Sequence, residues 1–350
     1  MDTLDFLGRL SRATGLPGHE SEVSRIVAEA FGPLAADVRI DRLGSCIAFK
    51  PGDGPGPRPK VMFAAHSDQI GLVVTKIEDG GFLRFAGMGG VDPRVLPGME
   101  VLIHGRASIP GVVGSKPPHT VPPEERNAAF KMDELYVDAG LAEEQVRENV
   151  QVGDMVSFES AFSPLGDFVV GKSFDDRAGV AVLYECLDCL SRLRHSADVY
   201  IVATVQEETG MRGAACSTFC ISPDVGIAID VTHGDMPGIP EYLTSRLDKG
   251  PVLSAGPNVH PKVLARLDEV ARRNGIPAQT EVSGGSSGTD AWAIQVTRSG
   301  VATGVISIPL RYMHTPVEVL SLRDIQEAGR LAAQFAADLD RAFVEGLRCY

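Results

Sequence analysis

Val61-Met62-Phe63-Ala64-Ala65-His66-Ser67-Asp68-Gln69-Ile70-Gly71 sets an unbroken apolar run directly against an imidazole and a carboxylate. An apolar run without alternation predicts a strand buried on both faces, the kind that parallel sheets hold between layers of helix. Polar residues at the carboxyl end of such a strand stand where open α/β sheets bind their ligands. The pattern recurs along the chain. Val199–Val205 leads into Gln206-Glu207-Glu208-Thr209-Gly210, the strand Val225–Val231 carries Asp230, and Val305–Ile308 is followed within a few residues by Tyr312-Met313-His314-Thr315.

Around these strands the texture alternates between helix and sheet. Thr3–Arg12 predicts a short amphipathic helix. After Gly15-Leu16-Pro17-Gly18 a second helix is expected from about Glu20 to Phe31, with Val23, Ile26, Val27 and Ala30 on one face. Val38–Lys50 predicts a strand pair turning at Leu43-Gly44, and further helices are expected over Ala178–Leu193, Pro261–Arg273 and Leu322–Val344. From about Ile70 to Phe168 the pattern changes to short alternating runs (Leu72–Ile77, Phe82–Phe85, Glu100–His104, Glu134–Val137) broken by Gly and Pro, which predicts a small β-barrel or sandwich. With 350 residues, two domains are the natural division. The reading is an α/β fold in which residues 1–69 and 166–350 form one discontinuous domain and residues 70–165 an inserted β-rich domain.

Bulk properties exclude several classes. A net charge of −13 and the lack of a basic patch argue against a nucleic-acid partner. No run of apolar residues is long enough to span a membrane. The acidic start Met1-Asp2-Thr3-Leu4-Asp5 has no apolar signal core, so a cytoplasmic location is expected. Six cysteines, Cys46, Cys186, Cys189, Cys216, Cys220 and Cys349, are then expected to be reduced. Cys186 and Cys189 have metal-knuckle spacing but fall inside a helical pattern, and Cys216 and Cys220 are one residue wider apart. All are read as packing residues.

The metal-capable side chains fall at the ends of these elements: His66, Glu207, Glu208, Asp230 and His314 by the strands, and Asp175 in Phe174-Asp175-Asp176-Arg177 just before a helix. Singly each has a plainer explanation. A histidine at a strand end is often a hydrogen-bonded structural residue, Asp-Asp before a helix complements its dipole, and paired glutamates are often solvated. Together they form a mixed imidazole and carboxylate set suited to zinc, cobalt or manganese. A carboxylate can bridge two cations, and two ions about 3.5–4 Å apart can share a hydroxide and stabilise the tetrahedral intermediate of hydrolysis. Such chemistry also needs a carboxylate outside the ligand set to move the proton, and Glu207 and Glu208 could divide those tasks.

The motifs Ala65-His66-Ser67-Asp68-Gln69-Ile70-Gly71, Ser173-Phe174-Asp175-Asp176-Arg177, Val205-Gln206-Glu207-Glu208-Thr209-Gly210, Ala228-Ile229-Asp230-Val231 and Tyr312-Met313-His314-Thr315 occur in the order of the co-catalytic metallo-aminopeptidases. The long separation of His66 from Asp175, filled by the β-rich segment, resembles the tetrahedral-aminopeptidase family, metallopeptidase family 42. That family includes glutamyl and deblocking aminopeptidases and proteins mislabelled as endoglucanases. The resemblance extends over nearly the whole chain, including Gly111–His119 and Gly284-Gly285-Ser286-Ser287-Gly288-Thr289-Asp290-Ala291. It implies a mixed-sheet, phosphorylase/hydrolase-like domain with an inserted barrel and a pair of divalent ions, zinc or cobalt with manganese as the further candidate. One ion would be held by His66 and Asp230, the other by Glu208 and His314, with Asp175 bridging. Glu207 would activate a metal-bridging water. Asp68 would accept from the second ring nitrogen of His66, and Asp176 would steady the helix start. His119 is read as structural or interfacial. The implied substrates are short peptides with a free N-terminus, and the implied assembly is a hollow homo-oligomer, a dodecamer by resemblance, with the inserted domain serving assembly and substrate access.

Ser67 and Gln69 replace the Met and Glu of many relatives, and the Ser286-Ser287 pair is an addition, so the preferred N-terminal residue stays open. A metal-dependent deacylase could use the same core. A glycosidase would need aromatic platforms beside its two carboxylates, and only 6% of the chain is aromatic, with Trp292 the one tryptophan. A catalytically silent scaffold would have lost a ligand or the base, and all are present.

Overall fold

The computed structural model describes residues 1–123, 128–285 and 287–347. Ser286 and Cys349 therefore lie outside the described residues. At the centre is an eight-stranded mixed sheet. Its strands run in the spatial order Asp37–Ile40, Cys46–Lys50, Asp198–Thr204, Lys60–His66, Val225–His233, Ala302–Leu310, Val252–Ala255 and Gln279–Val282. The four middle strands are parallel, and antiparallel pairing begins at Cys46–Lys50 on one side and Val252–Ala255 on the other.

Alternation of the middle strands explains their unbroken apolar character. Val61, Phe63, Ala65, Ile227, Ile229, Ile306 and Ile308 point to one face, where they meet the helices Phe174–Leu190, Pro261–Arg273 and Leu322–Asp338. Met62, Ala64, Ala228 and Val305 point to the other, beneath Ala214 and Ile221 of the helix Arg212–Ile221 and Ala291 and Ile294 of the helix Ala291–Gln295. Both faces are covered, so neither alternate position is polar. On the second face this apolar packing ends early. Two residues beyond Ala64, Ala228 and Val305, still on that face by the two-residue period of a strand, stand His66, Asp230 and Ser307. The sheet turns polar on one face just before its carboxyl edge.

Between Gly71 and Phe158 the strands Gly71–Ile77, Leu83–Met88, Tyr136–Asp138, Ser108–Gly114, Glu100–His104 and Met155–Phe158 close into an antiparallel barrel. Of the two expected forms, barrel and sandwich, the chain takes the barrel. Leu72, Val74, Leu83, Phe85, Val101, Ile103, Val137 and Val156 fill it as a cluster separate from those of the large sheet. A third, three-stranded sheet pairs Phe168–Gly171 with Ser163–Leu165 and with Glu318–Leu320, placing Gly171 opposite Glu318.

Several local expectations shift. The helix expected from Ala178 begins at Phe174, with Asp175 and Asp176 in non-helical conformations inside its first turn. The last helix stops at Asp338 and resumes as Arg341–Glu345, where the Asp340 carboxylate accepts from the Phe343 N–H at 2.7 Å. Cys46 and Cys186 are buried, but Cys216 and Cys220 are exposed on the helix Arg212–Ile221, so these two are not packing residues. The Gly, Ser and Thr content of that helix hid it from the sequence pattern. Arg177, fully buried, donates to the carbonyls of Leu10, Ala13 and Ser67 and so fastens the first helix to the segment that follows His66. No helix among the described residues is long and apolar enough to cross a membrane.

Gly213 lies where the helix Arg212–Ile221 meets the end of the strand Asp198–Thr204, and its N–H donates to the Val205 carbonyl at 2.9 Å. A Cβ at this position would stand 2.5 Å from the Val205 nitrogen and 2.6 Å from its oxygen, backbone atoms that cannot rotate away. Gly213→Ala is expected to cost about 1–3 kcal/mol, the range of overpacking in a filled site. Chemical denaturation beside the parent protein measures it. An unchanged midpoint would mean that the helix start moves freely on the strand end.

Candidate metal centre

The carboxyl edge of the middle strands brings the sequence-predicted side chains together. Asp175 is the hub. Its Oδ1 lies 3.1 Å from His66 Nε2, and its Oδ2 lies 3.0 Å from His314 Nε2. His314 Nε2 also stands 3.2 Å from Glu208 Oε1. Two donor groups result: His66, Asp175 and Asp230 in one, Asp175, Glu208 and His314 in the other, with the donor atoms of each within 4.8 Å of one another. Asp175 belongs to both. Glu207 belongs to neither, yet its Oε2 is 3.9 Å from His66 Nε2.

The backbone orients both imidazoles. His66 Nδ1 faces the Asp68 carbonyl at 3.1 Å, and His314 Nδ1 faces the Gly90 carbonyl at 3.1 Å. A carbonyl only accepts, so each Nδ1 carries the proton and each Nε2 is turned toward the shared carboxylate. This is the arrangement a nitrogen ligand to a cation requires. Gly90 follows a barrel strand, so the barrel supplies part of the centre. A Cβ on Gly90 would come within 2.7 Å of His314 Nδ1.

Asp68 does something other than expected. Its carboxylate sits 3.7 Å from His66 Nδ1, farther than its own carbonyl, and its oxygens accept from the N–H groups of Glu207 at 3.0 Å and Glu208 at 3.1 Å. Asp68 thus fixes the turn that presents both glutamates. Asp176 matches its expected role at the helix start, accepting from Gly179 N–H at 2.9 Å and also from His66 N–H at 3.2 Å. Ser67 donates to the Thr204 carbonyl, and Gln69 accepts from the Ser173 hydroxyl, so both replacements serve buried structure. His119 lies on an exposed 3-10 turn.

One residue at the centre was not anticipated. Glu318, buried, accepts from Phe174 N–H at 2.6 Å and Asp175 N–H at 3.3 Å through Oε2, and from His314 N–H at 3.0 Å through Oε1. It binds the segments that carry Asp175 and His314 to each other. Ser173, Gln206, Tyr312 and His314 all have positive φ, so the segments that carry the donor groups hold conformations that ordinary residues seldom adopt.

The electrostatics follow from burying so many acids side by side. Burial lowers the affinity of His66 for its proton, but Asp175, Glu207, Asp68 and Asp230 outweigh it and hold the imidazole well above its usual range. Burial opposes and Asp175 and Glu208 raise His314 in the same way, to about 11. Asp175 is raised by burial and pulled back further by the two imidazoles, ending below the usual carboxylate range. Burial, with Asp290, Glu208 and Asp175 against the opposing pull of His66, pushes Glu207 up to about 8. The centre is short of positive charge. A cavity of about 490 Å³ opens beside it, lined by the ligand set and by Thr232, Ser254, Glu281 and Tyr242 among others.

Comparison with known proteins places the chain. The sequence profile of the M42 glutamyl aminopeptidases matches residues 44–331. The lysyl aminopeptidase of Pyrococcus furiosus is 37% identical over 343 residues, spanning 96% of this chain and 97% of that protein. Among solved structures, the TET aminopeptidase of a marine sediment archaeon, Thaumarchaeota archaeon SCGC AB-539-E09, superposes with a TM-score of 0.94 at 35% identity and covers 99% of both chains. The TET1 peptidase of Pyrococcus horikoshii, described as assembling into a tetrahedron or a large octahedral shell, superposes at 0.85 with 30% identity over 97% of this chain and 100% of its own.

Zinc, cobalt or manganese added to chelator-treated protein is expected to raise its thermal midpoint, and the rise is expected to shrink as pH falls, because protons then hold His66 and His314. Asp175→Ala is expected to lose binding of at least one ion; a variant that loads metal like the parent would overturn the shared role. Glu318→Gln offers an amide N–H to a backbone N–H where a carboxylate oxygen now accepts. Metal affinity measured by competition with a chelator is expected to drop about 10–100-fold, and an unchanged affinity would show that the backbone holds the ligands unaided.

Proposed function

The chain belongs to the M42 glutamyl aminopeptidase family and is a peptide hydrolase, and from that premise we propose that it is a co-catalytic metallo-aminopeptidase using two divalent ions to release N-terminal residues from short peptides. The observation that carries this reading is the pair of donor groups sharing Asp175, one oxygen toward each imidazole. His66 and Asp230 would hold one ion, Glu208 and His314 the other, with Asp175 bridging. The donor set fits. Both imidazoles present Nε2 with Nδ1 tied to a carbonyl, and the surrounding acids are buried without cationic side chains enough to balance them. Zinc or cobalt suits these donors best, with manganese acceptable to the same set. Bound there, the ions would polarise the scissile carbonyl and acidify water.

The side chains have separate tasks. Glu207 stands outside both donor groups and takes a proton from the attacking water, then returns it to the leaving amine. Its place 3.9 Å from His66 yet outside both donor groups supports that role, since a carboxylate that holds no ion keeps a lone pair free to accept the proton. Asp68 positions rather than reacts, holding the Glu207 and Glu208 N–H groups so that the neighbouring carboxylates are directed to different work.

The reading extends to the whole particle. Residues 1–69 and 166–350 act as the catalytic unit and residues 70–165 as an inserted unit for assembly in a cytoplasmic homo-oligomer, for which the shell-forming relative gives the precedent. The Gly90 carbonyl on His314 supports a further role for the insertion in forming the site.

Hydrolysis of short free-amino peptides and aminoacyl anilides, by metal-stripped protein and by protein reloaded with zinc, cobalt or manganese, tests the proposal. Metal-restored release of N-terminal residues, absent on N-acetylated controls, is expected; cleavage confined to acylated substrates would favour a deacylase instead. Glu207→Gln is expected to keep its metals and lose turnover by about 10²-fold or more. A variant that is inactive and also metal-free would not support the assigned role.

A further inference from the structure

Resting on the aminopeptidase reading, we propose that Glu281 receives the side chain of the substrate's N-terminal residue and selects a cationic one, of the lysine or arginine class. The cavity beside the metal centre has a floor made from one face of the sheet. Asp230 pairs with Ser307, Ser307 with Val252, and Val252 with Gln279, so these positions share a face across four strands. By the two-residue period Thr232, Ser254 and Glu281 lie on that same face and line the cavity, with Ser254 and Glu281 on strands that run opposite to that of Thr232 and the three joined by their side-chain hydrogen bonds. Thr232 is thus about 7 Å along its strand from the metal-site residue Asp230, from the rise of a β-strand. A substrate held with its scissile bond at the ions would extend its first side chain into this part of the cavity.

The chemistry of the floor there is specific. The Thr232 hydroxyl donates to Glu281 Oε2 at 2.5 Å, and the Ser254 hydroxyl donates to Oε1 at 2.5 Å. Each oxygen has a further acceptor site, so the carboxylate is held in place but not saturated. The other lining acid outside the metal centre, Glu241, has Arg246 beside it at 3.7 Å. Among the described residues Glu281 has no such neighbour, and none of the lysines or arginines among them lines the cavity. An aliphatic first side chain would leave the carboxylate and its two hydroxyls facing an apolar group, and an acidic one would meet like charge. A lysine ammonium or arginine guanidinium would complete the acceptor set with charge-assisted hydrogen bonds.

The test is kcat/KM of the metal-loaded protein on Lys-, Arg-, Leu- and Glu-anilides, for the parent, Glu281→Gln and Glu281→Lys. The parent is expected to favour Lys and Arg over Leu by about tenfold or more. Glu281→Gln is expected to lose that margin on the basic substrates, mostly through KM, with Leu-anilide unchanged. Glu281→Lys is expected to move the preference toward Glu-anilide. A parent that prefers Leu or Glu overturns the proposal without reference to any variant and leaves the aminopeptidase reading intact. Equal loss on every substrate in Glu281→Gln also overturns it, since the carboxylate would then be holding the α-amino group or the fold. Failure of the parent to cleave any anilide under any metal loading would remove both readings together.

Discussion

Asp175 offers one oxygen to His66 and the other to His314, and much of the surrounding architecture keeps that carboxylate where two imidazoles can share it. The residue begins a helix in a non-helical conformation, so the helix itself does not aim it. Glu318 accepts its N–H and that of His314, Asp176 accepts the His66 N–H, and Arg177 anchors the carbonyl of Ser67 next to His66. Three segments far apart in sequence are thereby tied through their main chains. Their side chains are left free for other partners, and preorganisation of this kind limits the reordering needed when charged groups are brought together in a buried site.

The barrel belongs to this framework and is more than an appendage. Its own apolar cluster would let it be treated as a separate body, yet the Gly89-Gly90 turn after the strand Leu83–Met88 passes directly over Glu208 and His314. Side chains at either glycine would collide with those residues, so the glycines are required by close approach. The Gly90 carbonyl then fixes the tautomer of His314 as the Asp68 carbonyl fixes that of His66. One imidazole is oriented from within its own strand end and the other from the insertion.

Much of this was legible in the sequence, and the reason is physical. Where Met62 and Ala64 are followed by His66, and Ala228 by Asp230, a strand face that should continue apolar turns polar, and that break in period marks the site. Glu318 gave no such signal. It lies in a three-residue strand, and its task is to accept main-chain N–H groups, which leaves no trace in residue pattern. The strand Gln279–Val282, carrying Glu281, was missed because an edge strand half open to a cavity is polar and short. Asp68 was legible as a neighbour of His66, but the two main-chain N–H groups that its carboxylate accepts were not, because such partners leave no trace in residue type. Cys216 and Cys220 were assigned to packing by composition, and only the orientation of their helix shows them exposed.

Glu207 and Glu208 are chemically identical neighbours, and their separation into different positions at the centre is a matter of backbone geometry. Gln206, in the left-handed region, starts the turn, and the Asp68 carboxylate takes one N–H on each of its oxygens. From that fixed turn Glu208 reaches His314 at 3.2 Å and joins a donor group, while Glu207 stays 3.9 Å from His66 and outside both. A carboxylate bound to a cation is a poor base because its lone pairs are engaged. One that stands beside the donor groups but outside them keeps its lone pairs free to take a proton. The turn between the two residues therefore decides which glutamate joins a donor group and which stays outside, and the Asp68 carboxylate, accepting both N–H groups, holds that turn.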